Sequence, residues 1–183
     1  DIDATFVVLC RDPEPYTPPP NDRSLCYLGP LHKNRFTKEM VQAMDHIDAH
    51  LVVAGPRTND LYDWVLRNAG PRVSFIGRIS EMEVTQWTRA SDVVVTMLNP
   101  ADRCLRVGLA NKLFDAMSLG RAAIGTRGTA TGDLIEETIM GITCEYDIED
   151  YIYAVSALLD TDASAGGRNA YEACKSRYNW QIE

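Results

Sequence analysis

The sequence predicts an α/β domain built on a doubly wound, mostly parallel sheet with helices on both faces. Short apolar runs alternate regularly with segments of helical periodicity. Several of these runs, such as Leu51–Val53 and Val93–Val95, are continuous rather than alternating, which indicates strands buried on both faces of a parallel sheet. Repeated βα units with right-handed crossovers then produce a Rossmann-like arrangement.

Strands and helices are predicted in alternation after residue 20. The predicted strands are Ser24–Leu28, His50–Ala54, Arg72–Ile76, Asp92–Leu98, Ala122–Thr126 and Met140–Cys144. The first helix is predicted from the apolar face formed by Phe36, Met40, Met44 and Ile47. The other predicted helices are Asn59–Asn68, Ser80–Ala90, Leu109–Leu119, Asp133–Glu137 and Ile148–Leu159. Ser80 and Glu83 have the spacing of a capping box at a helix start.

Residues 1–20 are predicted to be the end of a preceding domain and an interdomain linker. They contain one apolar run, Ala4–Leu9, and then Arg11–Pro20, whose prolines exclude helix and favour an extended, semi-rigid connection. Residues 21–183 are predicted to form one domain with a truncated C-terminal helix. Because the sequence begins at Asp1 and stops soon after Trp180, we expect it to be a fragment of a longer protein.

The composition excludes several classes of function. A net charge of −8 argues against a broad nucleic-acid surface, which needs clustered positive charge. No apolar run approaches the roughly 20 residues that span a bilayer, and no signal peptide is visible, so a cytoplasmic protein is expected. The five cysteines include no C-x-x-C pair and no metal-ligand spacing with the three histidines. This pattern predicts reduced, mostly buried thiols and no metal site.

Three predicted loops follow the carboxyl ends of strands, where ligands of doubly wound sheets bind at helix N-termini. The first, Gly29–Arg35, has neither the glycine pattern of a dinucleotide-binding loop nor that of a nucleoside-triphosphate-binding loop. It places Lys33 and Arg35 before a helix whose dipole opposes them, so a ligand role is favoured over a solvated pair. The third loop, Thr126–Gly132, offers glycines and threonines but is a weak signal alone.

The second loop, Asn99–Gly108, leads into a helix whose first amides form a potential anion site. Glycine at its end allows close approach of a ligand to the backbone. Lys112 and Asp115 lie three residues apart and share a helical face with Asn111. This pattern fits a nucleotide diphosphate with its ribose, and it fits a surface ion pair equally well.

Together these stretches resemble the C-terminal domain of the group 1 glycosyltransferases, retaining enzymes of the GT-B fold. The clearest match is Asn111–Thr126, which is similar to the family's N-K-L-F-E-Y-M-A-x-G-x-P-V-I-A-S stretch. Further matches, in the family's order, are Val8–Pro13, Tyr27–Pro30, Leu51–Gly55, Val73–Arg78, Ala90–Val95 and Tyr178–Trp180. The resemblance covers essentially the whole chain, and the order and spacing of the motifs carry it.

The resemblance implies that residues 21–183 bind a nucleoside-diphosphate sugar as donor substrate and need no cofactor. By position, Asp115 would bind the donor ribose. Arg35 would contact the diphosphate with Lys112 as a second cation, and both would stabilise the leaving diphosphate as catalytic residues. Lys33 of the first loop is a further candidate donor-binding residue. The other implied donor-binding residues are Gly77 and Arg78 beside the base, Gly108, Leu109, Ala110 and Asn111 around the phosphates, and Gly128 and Thr129 beside the sugar diphosphate.

Two positions depart from the family pattern. Val107 stands where the family has the first of two glutamates, and Pro30 where it often has an arginine. Both favour an alternative function, a non-catalytic GT-B-like module that binds a glycan or a partner subunit. Another alternative is a sugar-nucleotide epimerase-like enzyme, for which the three histidines are poorly placed.

The resemblance also implies a partner domain. The acceptor and any general base would come mostly from a missing N-terminal domain, through which a peripheral membrane contact is possible. We therefore expect this chain to bind a nucleoside diphosphate but to be inactive in transfer alone. The absence of a D-x-D motif from the loops predicts no essential metal.

Overall fold

The computed structural model describes residues 10–161 and 163–180, so the predicted apolar run Ala4–Leu9 lies outside the described part of the chain. Within it, the strands are β1 (Ser24–Leu28), β2 (His50–Ala54), β3 (Val73–Gly77), β4 (Val93–Thr96), β5 (Ala122–Thr126) and β6 (Gly141–Cys144). The helices are α1 (Thr37–Ala43), α2 (Asp60–Asn68), α3 (Glu81–Arg89), α4 (Arg103–Val107), α5 (Asn111–Leu119), α6 (Ala130–Thr138), α7 (Ile148–Asp160) and α8 (Ala163–Ser176). No described helix is long and apolar enough to cross a membrane.

The six strands form one parallel sheet in the order β3-β2-β1-β4-β5-β6, which confirms the predicted doubly wound arrangement. Strand order reverses between β1 and β4, which pair through Leu25 with Val93 and Cys26 with Val94. The loops that leave these two strands diverge and open a crevice at the carboxyl edge of the sheet.

The sheet is buried on both faces, as the continuous apolar runs predict. Tyr27, Val53 and Val95 lie in one core cluster with residues of α1 and α7. Cys26 and Val94 point the other way and pack with residues of α5, α6 and α8. Alternate residues of each strand therefore enter different cores, and both cores require apolar side chains.

Strand and helix boundaries follow the predictions closely, with physical reasons for the differences. β4 spans Val93–Thr96 rather than Asp92–Leu98. The buried carboxylate of Asp92, just before it, accepts hydrogen bonds from the amides of Asn21 and Ser24, at 2.7 and 3.0 Å. The predicted first helix spans only Thr37–Ala43: Phe36, with a left-handed φ of 58°, precedes it, and Met44 and Ile47 of the predicted face lie beyond its last residue. The capping box of Ser80 and Glu83 is confirmed.

Helix α4 was not predicted, and the C-terminal helix was predicted without bounds; it is α8. Two adjacent glycines, Gly166 and Gly167, weaken the helical signal of α8. They are needed for packing: a Cβ on Gly166 would lie 2.8 Å from the carbonyl oxygen of Met140, and one on Gly167 would lie 2.3 Å from that of Gly120. The tertiary contact therefore selects residues that local propensity disfavours.

Residues 10–20 form no helix or strand and lie against α5 and α8. The amide of Glu14 donates to the carbonyl oxygen of Ser118 at 3.0 Å, and the Tyr16 and Tyr171 rings lie 5.1 Å apart. The buried guanidinium of Arg121 donates to the carbonyl oxygen of Thr17 at 2.8 Å. These contacts fix the segment to the domain.

Candidate functional site

The loop after β1 begins the candidate site. The amide of Gly29 donates to the carbonyl oxygen of Ala54, which holds the loop against β2. Lys33–Arg35 form one turn of 3-10 helix, capped by Nδ1 of His32, which accepts from the amide of Asn34 at 3.2 Å. This turn projects Arg35 over the end of β1.

Tyr27 is the buried centre around which the two predicted catalytic cations meet. Its hydroxyl donates to the carbonyl oxygen of Pro30 at 2.6 Å, and Nζ of Lys112 lies 3.4 Å from its ring centroid. Burial raises the pKa of Tyr27, and the adjacent Arg35 guanidinium offsets part of this rise. The sequence separates Arg35 and Lys112 by three strands and several helices, and the fold brings both to one tyrosine.

Lys112 is a half-buried ammonium group without a carboxylate partner. Burial lowers its pKa to about 7, and the nearby charge of Arg35 acts in the same direction. Within the described residues, neither Lys112 nor Arg35 has a carboxylate within 4.0 Å. Lys112 and Asp115 therefore form no surface ion pair. An anion placed between the two cations would favour the charged form of Lys112.

The N-terminus of α5 lies beside these cations. Ala110, its N-cap residue, makes no side-chain capping bond, whereas α2, α3, α6 and α7 are each capped by a side chain. The hydroxyl of Thr131 accepts from the amide of Ala110 at 3.0 Å and donates to the carbonyl oxygen of Gly108 at 3.1 Å. The amide of Gly108 is bonded to Cys104. Of the predicted phosphate-binding amides, this leaves those of Leu109 and Asn111 without a hydrogen-bond acceptor among the described residues.

Asp115 lies one turn further along α5 and is paired with an arginine that the sequence did not indicate. Its side chain is 17% exposed, and its Oδ1 lies 2.8 Å from Nε of Arg11. Arg11 also approaches Glu81 at 3.8 Å. Burial raises the pKa of Asp115 and Arg11 lowers it. No sequence signal links Arg11 to this helix, because the contact depends on how residues 10–20 pack.

A cavity of about 300 Å³ lies between the first loop and α4, with Arg35, Asn59 and Asp102 in its wall. Nδ2 of Asn34 donates to Oδ2 of Asp102 at 2.9 Å, and the amide of Asn99 donates to the carbonyl oxygen of Asn34 at 2.9 Å. These bonds join the loops after β1 and β4 across the crevice. Sequence reasoning did not find these polar residues, because each is an ordinary loop residue until its partner is known.

The other predicted donor residues occupy the same edge of the sheet with different degrees of access. Arg78 is exposed beside Gly77, whose carbonyl oxygen accepts from the amide of Gly55 at 2.8 Å. Gly128 is exposed, but the hydroxyl of Thr129 is buried and bonded to Thr126 and Gly132. The Thr129 side chain therefore caps α6 and is not presented to the crevice.

Two further predicted positions lie at the rim of the crevice. Val107 ends α4 and is 66% exposed. Lys33 is exposed and lines a neighbouring cavity with Lys38 and Trp64 rather than the cavity that contains Arg35. Within residues 10–161 and 163–180, no group of three or more potential metal-ligating side chains is found.

The chain matches one family of known proteins. A family model described as glycosyl transferases group 1 matches residues 22–161. No curated protein sequence matches the chain.

Solved structures share the fold. HepE from Anabaena, solved with UDP and glucose, has a TM-score of 0.71 at 14% identity, covering 87% of this chain and 45% of HepE. AviGT4, a glycosyltransferase involved in avilamycin A biosynthesis, has a TM-score of 0.72 at 18% identity, with 98% and 55% covered. Sucrose-phosphate synthase from Thermosynechococcus elongatus has a TM-score of 0.70 at 18% identity, with 88% and 43% covered. The chain thus spans about half the length of each structure.

Proposed function

This chain belongs to the group 1 glycosyltransferases, and we propose that it is the donor-binding half of a retaining enzyme. The enzyme would transfer a sugar from a nucleoside-diphosphate sugar to a glycan, lipid or other acceptor. The observation that carries this proposal is the meeting of Arg35 and Lys112 at Tyr27, beside the α5 N-terminus that has no side-chain cap.

The two cations would act on the diphosphate. As the bond between sugar and phosphate breaks, negative charge grows on the leaving diphosphate. Arg35 and Lys112 are held in place before the reaction, so they would stabilise that charge without reorganisation. The amides at the first positions of α5 would add to the same field. Because the pKa of Lys112 is about 7, diphosphate binding near neutral pH would also draw a proton onto its amine.

The remaining donor contacts follow from position around the crevice. Asp115 would accept hydrogen bonds from the ribose hydroxyls, with the Arg11 guanidinium favouring the ionised carboxylate against the effect of burial. Gly77 and Arg78 would lie beside the base. HepE was solved with UDP and glucose, so UDP is the first nucleotide to test.

A second domain would complete the enzyme. The chain spans about half the length of the solved structures with the same fold. We propose that an N-terminal domain supplies most of the acceptor site and any general base. The described chain should then bind the donor and show no transfer by itself.

Calorimetric titration with UDP, GDP and their sugar conjugates tests the proposal. Binding of at least one is expected, and absence of binding to all of them would refute it. Arg35→Ala should weaken nucleoside-diphosphate binding by about tenfold or more, since a charge-assisted hydrogen bond contributes roughly 1.5–3 kcal/mol. Binding of the free nucleoside should change little. Arg177→Ala, at an exposed and remote arginine after α8, is the matched control.

Val107 favours a second candidate, a non-catalytic module of the same fold. An exposed valine at the end of α4 cannot accept hydrogen bonds from a sugar, whereas the glutamate expected at this position can. Transfer activity in the intact two-domain protein would exclude the module. An epimerase-like enzyme is not favoured, because His46 and His50 lie before or at the amino end of β2, away from the crevice, and of the three histidines only His32 lines the cavity that contains Arg35.

A further inference from the structure

A second cavity adjoins the cavity of about 300 Å³ that contains Arg35, one of the two cations assigned to the donor diphosphate. It has a volume of about 350 Å³ and lies between α1, α2 and the loop after β1, with Lys33, Lys38, Trp64 and Arg67 in its wall. Both cavities include His32 and Asn59 in their linings. A ligand in the second cavity would therefore lie next to the cavity that contains Arg35.

The wall between the cavities is fixed by internal hydrogen bonds. Oδ1 of Asn59 accepts from the amide of Leu61 at 2.9 Å, and its Nδ2 donates to the carbonyl oxygen of Leu31 at 2.8 Å. Nδ1 of His32 accepts from the amide of Asn34. Because both side chains are held in place, the second cavity keeps its shape next to the donor site.

The second cavity is positively charged in an acidic chain. Lys33, Lys38 and Arg67 line it against one carboxylate, that of Asp60, whereas the whole chain carries a net charge of −8. In the described part of the chain, none of these three cations has a carboxylate within 4.0 Å, while the nearby Arg57 is paired with Asp63 at 2.9 Å. Cations grouped without counter-charges repel one another, and a bound anion would relieve that repulsion.

Two of these side chains are held in place while their cationic ends stay accessible. Nε of Arg67 donates to the backbone oxygen of Asp63 at 3.0 Å, so its two terminal nitrogens remain available. Nζ of Lys38 lies 5.2 Å from the centroid of the Trp64 ring, and that ring packs against the core on its inner side. The cavity thus combines a flat apolar surface with fixed cations, a combination that suits a sugar ring bearing an anionic group.

We propose that this cavity binds the anionic group, a phosphate ester or a carboxylate, of the acceptor sugar. The inference rests on the proposed function, because it takes the neighbouring cavity as the donor site. The donor diphosphate is assigned to Arg35 and Lys112, which do not line this cavity, so the second anion belongs to the other substrate. The acceptor is therefore predicted to be an acidic sugar or a phosphorylated sugar rather than a neutral one.

The test uses the indole N–H signal of Trp64 in the ¹⁵N-labelled chain, identified by its loss in Trp64→Phe. The chain is titrated with glucose 6-phosphate, glucuronate and glucose. Glucose 6-phosphate or glucuronate should shift the Trp64 signal saturably, and the stronger of the two identifies phosphate or carboxylate as the preferred group. Neutral glucose should not shift it. The signals of Trp87 and Trp180 should stay unchanged.

Two double variants separate a specific site from general charge. Lys38→Ala with Arg67→Ala should weaken the binding by about tenfold or more, because it removes two charge-assisted contacts. Lys175→Ala with Arg177→Ala removes the same charge from exposed pairs on and just after α8 and should leave the binding unchanged. Equal loss in both variants would overturn the proposal, as would the absence of any shift or an equal shift with glucose.

UDP titration of the same sample distinguishes failure of this inference from failure of the proposed function. Bound UDP should leave the acidic sugar in place, and displacement of the sugar by UDP would assign it to the donor cavity and overturn the inference. If UDP binds while neither charged sugar does, the inference fails and the donor assignment stands.

Discussion

Nε of Arg11 donates a hydrogen bond of 2.8 Å to Oδ1 of Asp115, across 104 residues of sequence. The contact joins residues 10–20 to the helix proposed to bind the donor ribose. The carbonyl oxygen of Arg11 also accepts from the thiol of Cys174 in α8 at 3.3 Å. The position of this segment and the ionisation of Asp115 are therefore linked.

Arg11→Gln should destabilise the protein in a pH-dependent manner. The pKa of Asp115, raised by burial and lowered by Arg11, should rise further without the guanidinium. A raised pKa of Asp115 in the folded protein lowers the free energy of unfolding only at pH values where the carboxyl is ionised in the unfolded chain. The loss is therefore absent below about pH 4 and grows as the pH rises through the pKa of Asp115 in the folded protein. Because Arg11 is half-exposed, we expect a loss of about 1 kcal/mol at pH 7.

Urea unfolding of Arg11→Gln at several pH values measures this effect. Arg11→Lys keeps the charge and should lose less. A loss that is the same at pH 4.5 and pH 7 would show that the contact acts through packing rather than charge.

In the wild type, Lys112 should make the free energy of unfolding rise with pH above 7, and Lys112→Met should abolish this contribution. The folded protein releases the proton of Lys112 near pH 7, while the unfolded lysine keeps it until about pH 10.4. The unfolded state then binds more protons, so this group adds stability as pH rises above 7. Allowing for partial exposure, we expect the unfolding free energy of the wild type to gain about 1 kcal/mol relative to the variant between pH 7 and 8.5.

Nucleoside-diphosphate binding supplies a second measurement on Lys112. Wild-type affinity should fall as pH rises above 7, because only the protonated amine attracts the phosphates. Lys112→Arg stays charged and should show a flatter profile. Identical pH profiles for the wild type and both variants would remove Lys112 from the site.

Thr131→Val should weaken the N-terminus of α5 without changing side-chain volume. Its hydroxyl accepts a hydrogen bond from the amide of Ala110 and donates one to the carbonyl oxygen of Gly108, and Thr131 is fully buried. Leaving these groups without a partner should cost about 1–3 kcal/mol in thermal or urea unfolding and should lower UDP affinity.

Thr138→Val is the control on the same helix, since its hydroxyl donates only to helical carbonyl oxygens of α6. It should have little effect on stability or binding. Equal effects of the two substitutions would indicate a general loss of α6 stability.

Gly120→Ala should destabilise the protein through the residues before the domain. Gly120 has φ 66°, and a Cβ there would lie 2.7 Å from the Tyr16 ring. The left-handed conformation alone costs an alanine about 1 kcal/mol, and the overlap adds to that cost. In a Tyr16→Ala background the overlap disappears, so Gly120→Ala should cost less there. A double-mutant cycle on unfolding free energies measures the difference, and strict additivity would contradict the packing of Tyr16 on Gly120.

The sequence alone determines the sheet and most of its helices. The strands at Ser24–Leu28, His50–Ala54 and Ala122–Thr126 have the predicted bounds. Burial on both faces of the sheet requires a continuous apolar run, and such a run is visible in a short stretch of sequence. The capping box of Ser80 and Glu83 is also predictable from the sequence, because its two residues lie only three positions apart. Parallel topology then places the candidate loops at one edge of the sheet.

Only the tertiary structure decides which residues meet at that edge. Lys112 faces the ring of Tyr27 rather than Asp115, although helical spacing allowed either arrangement. Asp115 instead pairs with Arg11, and the amide of Ala110 is satisfied by Thr131. These contacts join residues far apart in the chain, and their energies depend on burial and distance, which no local pattern records. The sequence thus predicts at which edge of the sheet the candidate site lies, and packing determines the charges and free hydrogen-bonding groups of that edge.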